Sequence, residues 1–255
     1  MLFFVFDDYT DQADGDGVQA YVDIVLDALE NPSKPRGTIK SASPQSQRHF
    51  IESFTDYANA VIQEAIDRAH GHVRTIDSYL ALSRLTAGPY PSFFPCELRL
   101  DLPDDVIHHP SIANMARLVV ESIVLTNDVY SYNIEQSAGH GGHNIIKIVT
   151  RELGVNVDGA MDWVNRYHTE VLAQFLECRH KIPSFGNELD GQVEKYIQGL
   201  ESWVRWIDCW SFESGRYFGG KGLEIQKLRV VELLPKVHGD ASVTPMMVPS
   251  VALLS

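Results

Sequence analysis

The stretch PSIANMARLVVESIVLTNDVYSYNIE, Pro110 to Glu135, decides how the rest of the chain is read. Its apolar residues Ile112, Met115, Val119 and Ile123 recur at helical spacing, which predicts one buried face on a long helix. Toward its end that helix turns polar in an ordered way. Asn127, Ser131 and Glu135 offer an amide oxygen, a hydroxyl and a carboxylate at i, i+4 and i+8. Steps of four drift only about 40° around a helix with 3.6 residues per turn, so the three oxygens point the same way. Val120, Ile123 and Val124 lie one and two turns earlier on that side. A helix surfacing into solvent would explain the polarity but not this oxygen series. Hard oxygen ligands of mixed charge suit magnesium, which takes a few protein oxygens and completes its shell with water and phosphate.

Helical periodicity continues on both sides. Val18 to Glu30 carries Val18, Tyr21, Val22, Val25, Leu26 and Leu29 on one face and ends at Asn31-Pro32. A helix from Pro44 carries Phe50, Phe54, Tyr57, Val61 and Ala65 to about His70, where Gly71 breaks it, and another covers Val73 to Thr86. Ala87-Gly88-Pro89-Tyr90-Pro91 is a breaker cluster, and Leu102-Pro103-Asp104-Asp105 has Pro in the first turn of a helix start. Asp158 to His180 and Glu188 to Phe212 are two further helices. Leu228 to Leu234 fits neither period cleanly, and residues 237–255 read as a disordered tail behind one domain, residues 1–236. The expected class is all-α.

The 255 residues, 44% of them hydrophobic, suffice for one large core. A formal charge of -13 and a pI near 5.1 exclude nucleic-acid binding by bulk electrostatics. An anionic small substrate stays open, provided bound cations and a few Arg residues reverse the local field. Cys96, Cys178 and Cys209 are odd in number and widely spaced, which suits a reducing compartment and thiols packed in the core. Met1 to Phe6 is apolar but stops at Asp7-Asp8, too short for a signal sequence, and no apolar run approaches a membrane span. These features predict a soluble cytoplasmic protein.

Other constellations bear on the oxygen series. Asp7-Asp8-Tyr9-Thr10-Asp11 places Asp7 and Asp11 one helical turn apart on one face, where two carboxylates can share hard cations. Alone, such a pentad is more often a solvated helix end. Arg84 stands four residues before Gly88 at a helix-to-breaker junction, and Arg216-Tyr217 follows an aromatic helix with Trp203, Trp206 and Trp210. Arg offers a planar fork of donors that matches phosphate oxygens, and Tyr adds a neutral donor. Singly each is a common surface residue; together with two oxygen clusters they describe a diphosphate clamp. His140 and His143, in Gly139-His140-Gly141-Gly142-His143, read as a flexible loop and not as a zinc site, since no Cys or third His is suitably spaced.

With these residues in view, the chain resembles the fungal, basidiomycete-type sesquiterpene synthases. The resemblance rests on the DDxxD-type motif Asp7 to Asp11, the NSE-type motif Asn127 to Glu135 followed by Gln136, the Gly/His loop with His143-Asn144, the string Trp210-Ser211-Phe212-Glu213 and the pair Arg216-Tyr217. It extends from residue 1 to about Lys236 and implies the class I terpene synthase helical bundle, also called the isoprenoid synthase fold. By that resemblance Asp7, with Asp8 and Asp11, would bind magnesium, and Asn127, Ser131 and Glu135 would hold another magnesium ion. Arg84, Arg216 and Tyr217 would bind diphosphate, Gly88 would be the helix-break effector, and Gln136 to Asn144, with Gly139, His140, Gly141, Gly142 and His143, would form the lid. Phe3, Phe4, Val120, Ile123 and Val124 would line the cavity, with Trp206 and Trp210 as further aromatic candidates.

The activity implied is magnesium-dependent ionisation of farnesyl diphosphate and cyclisation to a sesquiterpene, with a C-terminal stretch suggestive of protoilludene-type 1,11 closure. Family members place several helices before the aspartate motif, which here begins at residue 7, so the resemblance also implies a bundle lacking its first helices. A catalytically impaired remnant is therefore one rival reading. A prenyl diphosphate synthase is the other, disfavoured because such enzymes carry a second aspartate-rich motif where this chain has its NSE motif.

Overall fold

A computed structural model of the chain describes residues 43–139, 143–236 and 245–247, together with Val18, Gln19 and Val22. The described residues are predominantly helical. In chain order they form α1 Pro44–His70, α2 Ile76–Thr86, the short α3 Pro89–Ser92, α4 Phe94–Glu97 and α5 Asp104–Ile107, then α6 Pro110–Ala138, α7 Ile145–Leu153, α8 Val157–His180, α9 Asn187–Glu213 and α10 Gly222–Leu228. Backbone proximity groups the chain into two units, residues 1–73, 81–116 and 182–200 in the first and 74–80, 117–181 and 201–255 in the second.

In the first unit, α1 starts where Ser43 accepts a hydrogen bond from the Ser46 amide and Pro44 occupies the first turn, a position that needs no amide donor. Its face of Phe54, Tyr57, Ala58, Val61 and Ala65 packs with Val18 and Val22 of the predicted Val18 to Glu30 helix. Polar pinning supplements that packing. His49 lies between two carboxylates, its Nδ1 2.7 Å from Glu97 Oε2 and its Nε2 2.9 Å from Asp104 Oδ1, which ties α1 to α4 and α5. Burial alone would depress the His49 pKa, but the two carboxylates outweigh it and hold the pKa above its ordinary value.

The breaker cluster is more regular than its composition suggests. Gly88 takes a left-handed conformation, φ 76°, and the Pro-Tyr-Pro that follows opens α3, because proline needs no amide partner in a first turn. Pro103 caps α5 and does not enter it. Helix α2 begins at Ile76, three residues later than its apolar pattern, where the Thr75 hydroxyl accepts from the Ser78 amide.

In the second unit, α6 runs unbroken through the oxygen series to Ala138. Helix α7 was not anticipated. Asn144 caps it by accepting from the Ile146 amide, and Ile145, Ile146, Ile148 and Val149 are all buried. The ambiguous segment resolves into the end of α10 and a strand, Val230–Glu232, which pairs antiparallel with Pro245–Met247 in the register Val230 to Met247. The cysteines are corrected: Cys96 and Cys178 are half-buried and Cys209 is exposed, so the expected core thiols are absent, Cys209 sitting on the outward face of α9. No described helix is long and apolar enough to cross a membrane.

Candidate metal and diphosphate site

The last turns of α6 carry the oxygen series on one side. Ser131 is buried and its Oγ has no hydrogen-bond partner. A buried orphan hydroxyl costs about 1–3 kcal/mol; Thr126 and Thr150 carry others, and Ser131 alone of the three stands between the amide and carboxylate of the oxygen series. One turn before it, Asn127 donates from Nδ2 to the Tyr217 hydroxyl at 2.6 Å, which leaves its carbonyl oxygen as the ligand atom. One turn after it, Glu135 accepts at Oε2 from Asn144 Nδ2 at 3.0 Å. The donor set is oxygen only and carries one negative charge, which fits magnesium with substrate phosphates completing the shell. Among the described residues no group of three His, Cys, Asp or Glu side chains is placed to hold a metal.

Arg216 and Tyr217 reach this side through the turn after α9. The Ser214 amide bonds to the Trp210 carbonyl at 2.8 Å, and the Gly219 amide closes back on Gly215 at 3.0 Å. Gly222, first residue of α10, lies against the end of α9 so closely that a Cβ there would fall 1.8 Å from the Phe212 carbonyl oxygen. Only glycine permits that approach, and it fixes the turn that delivers Tyr217. The phenol is buried beside Tyr130, Trp210 and Phe218. Burial, with the Glu135 carboxylate, pushes its pKa up, against a pull downward from Arg216 and Asn127. Tyr217 is therefore a neutral donor at physiological pH. The Arg216 guanidinium stands 5.8 Å from its ring centre.

The structure thus brings Asn127, Ser131, Glu135, Arg216 and Tyr217 together in the second unit. Val120, Ile123 and Val124 are buried along the preceding turns of α6. Arg84 and Gly88 belong to the first unit: Arg84 is half-buried in the last turn of α2, and the Gly88 carbonyl accepts from the Ser92 amide at 3.3 Å and from Ser92 Oγ at 2.8 Å. Asp7, Asp8, Asp11, Phe3, Phe4, His140, Gly141 and Gly142 lie outside the described residues. Trp206 faces solvent on α9 at 44% exposure, which removes it from any cavity wall, whereas Trp210 meets Tyr217 edge-on at 6.1 Å. The predicted lid is narrower than expected: Gln136 is buried in the last turn of α6 and donates to the Leu234 carbonyl at 2.8 Å, and Asn144 is the buried cap of α7.

Sequence reasoning missed a second tier. Asp128 accepts at Oδ2 from the Tyr79 hydroxyl at 2.6 Å and the Ile145 amide at 2.9 Å, so it anchors α7. Tyr130 donates to Asp208 Oδ1 at 2.6 Å, and burial together with that carboxylate raises the Tyr130 pKa far above its ordinary value. The signal was present for Asp128, a charged residue inside a helix predicted to be buried, but nothing in its spacing named its partners.

Solved terpene synthases share this helical fold. The chain superposes on a reconstructed ancestral protein, SVS_A2, with a TM-score of 0.73 at 22% identity, covering 82% of this chain and 66% of that one. It superposes on an α-eudesmol synthase at 0.70 and 22% identity, covering 83% of this chain and 76% of that one. Residues 36–174 match terpene synthase family 2, C-terminal metal binding. A sesquiterpene synthase of Postia placenta is 46% identical over 94% of this chain and 73% of its own length. A delta(6)-protoilludene synthase of Stereum hirsutum is 45% identical over 94% of this chain and 70% of its own length. The chain belongs to the terpene synthase family, and it falls with the basidiomycete sesquiterpene synthases.

Proposed function

We propose that the chain is a magnesium-dependent carbon–oxygen lyase that ionises farnesyl diphosphate and cyclises the resulting cation to a sesquiterpene, releasing diphosphate. The observation that carries this reading is the partnerless buried Ser131 Oγ between Asn127 and Glu135 on one side of α6. Asn127, Ser131 and Glu135 would hold magnesium, and Asp7, Asp8 and Asp11 would hold further ions. When bound, magnesium supplies positive charge that stabilises the departing diphosphate.

The chain's own residues do the rest. Arg216 and Tyr217 would grip the diphosphate, and their donors would strengthen as negative charge develops on it in a water-poor site. Tyr217 serves because it stays protonated. By the family resemblance, the residues between Gln136 and Asn144 would close over the pocket. Val120, Ile123 and Val124 would supply apolar wall beside the metal site; if Phe3 and Phe4 act as the family resemblance implies, their aromatic faces would favour cations by about 0.5–2 kcal/mol each. Residues 1–236 form the synthase domain and 237–255 its tail. That Cys96, Cys178 and Cys209 form no disulfide favours work in the reducing cytoplasm. The protoilludene synthases among the relatives support a 1,11 ring closure.

Purified protein given farnesyl diphosphate and magnesium should release a hydrocarbon or terpene alcohol into the headspace, and Asn127→Ala should abolish it. Volatile product unchanged by that substitution would overturn the metal-site assignment.

A further inference from the structure

We infer that Asn144 is a positioning residue for the Glu135 carboxylate, joining the start of α7 to the metal site; this rests on the reading of Glu135 as a metal ligand. Capping alone does not account for an asparagine here. The cap uses only Oδ1, which accepts from the Ile146 amide at 2.9 Å, and serine, threonine or aspartate would do as much. What those residues lack is the amide's donor pair. Asn144 Nδ2 donates to the Asp128 carbonyl at 2.8 Å and to Glu135 Oε2 at 3.0 Å. The side chain doing this is fully buried, so its orientation is fixed by packing.

The neighbouring contacts make that anchor rigid. Asp128 Oδ2 takes the Ile145 amide at 2.9 Å and the Tyr79 hydroxyl at 2.6 Å, so residues 144 and 145 are bonded to α6 by both backbone and side chain. Glu135, by contrast, is half-buried on a flexible stem near the end of its helix. The bond at Oε2 holds its carboxylate plane toward one orientation. Outer partners that orient metal ligands in this way typically change metal affinity by about 10–100-fold when removed.

Mn2+ binding to the full chain in the presence of inorganic pyrophosphate, followed by EPR, tests this without relying on turnover. Asn144→Ser keeps a cap acceptor and loses both donors, so helical circular dichroism should persist while the Mn2+ Kd rises about tenfold or more. Asn144→Thr, which likewise keeps a cap acceptor and adds no charge, makes the same test should the serine variant fold poorly. In a Glu135→Ala background, Asn144→Ser should change the Kd less than twofold, because its effect passes through Glu135. An Asn144→Ser variant that binds Mn2+ like wild type, while Asn127→Ala has lost it, would overturn the inference and leave the site reading standing. Equal weakening with and without Glu135 would also overturn it. Wild-type binding in both Asn127→Ala and Glu135→Ala would overturn the site reading and this inference with it.

Discussion

Glu121 and Ser122 are buried in α6 as deeply as Ser131, yet the two regions of that helix treat polarity in opposite ways. Glu121 is bonded by Arg117 and by the Tyr167 hydroxyl, and Ser122 shares a 2.7 Å hydrogen bond with His168 on α8. Every one of those groups is answered from within the chain. Further along, Ser131 Oγ is unanswered and Asn127 uses only its donor. Thr126 Oγ1 on the same helix is buried without a partner too, so it is Ser131's place between Asn127 and Glu135 that marks it as a candidate ligand.

The largest effect that can break this comparison lies in the paired region and depends on pH. Burial holds the His168 pKa down at about 4, against 6.5 for the free side chain. Between those values the unfolded chain takes up a proton that the folded chain refuses. Stability is therefore full above pH 6.5 and is lost as the pH falls toward 4, by roughly 3 kcal/mol. Denaturant unfolding at pH 7 and at pH 4.5 should show that slope in the wild type and a smaller one in His168→Gln. An equal slope in both would mean that His168 is not held neutral.

A smaller effect concerns charge in the same region. Arg117→Met leaves the fully buried Glu121 with the Tyr167 hydroxyl but without its cation, and should cost about 2 kcal/mol, toward the low end for a broken buried pair because Arg117 is a third exposed. Equilibrium unfolding at pH 7 measures it, and farnesyl diphosphate turnover per folded molecule should not change. The smallest effect sharpens the contrast. Ser122→Ala strips His168 of its partner and should cost about 1–2 kcal/mol, whereas Ser131→Ala removes an orphan and should be neutral or stabilising by up to about 1 kcal/mol. Thermal unfolding of the two variants side by side would show whether they separate in that order.

Much of this was legible in the sequence. The helical period placed α6, α8 and α9, and Gly71 ended α1 where expected, because long amphipathic segments carry their fold in their own spacing. The oxygen series was readable for the same reason: i, i+4 and i+8 become neighbours on any helix. Helix α7 escaped although Ile145, Ile148 and Val149 follow the helical period, because it is only nine residues long and its cap, Asn144, looked like part of a loop. Asp128, Tyr79 and the Tyr130–Asp208 pair escaped because each depends on a partner 49 or more residues away, and long-range partners leave no local trace. Trp206 misled because an aromatic residue on an amphipathic helix is ordinarily inward, and here it faces out.

The most direct test of the metal-site reading sets the two serines of α6 against each other as ligands. Mn2+ affinity in the presence of inorganic pyrophosphate, measured by EPR on wild type, Ser131→Ala and Ser122→Ala, should fall about tenfold or more in Ser131→Ala and match wild type in Ser122→Ala. Wild-type affinity in Ser131→Ala, or an equal loss in both variants, would contradict the assignment of the Asn127, Ser131 and Glu135 side of α6 as a metal site.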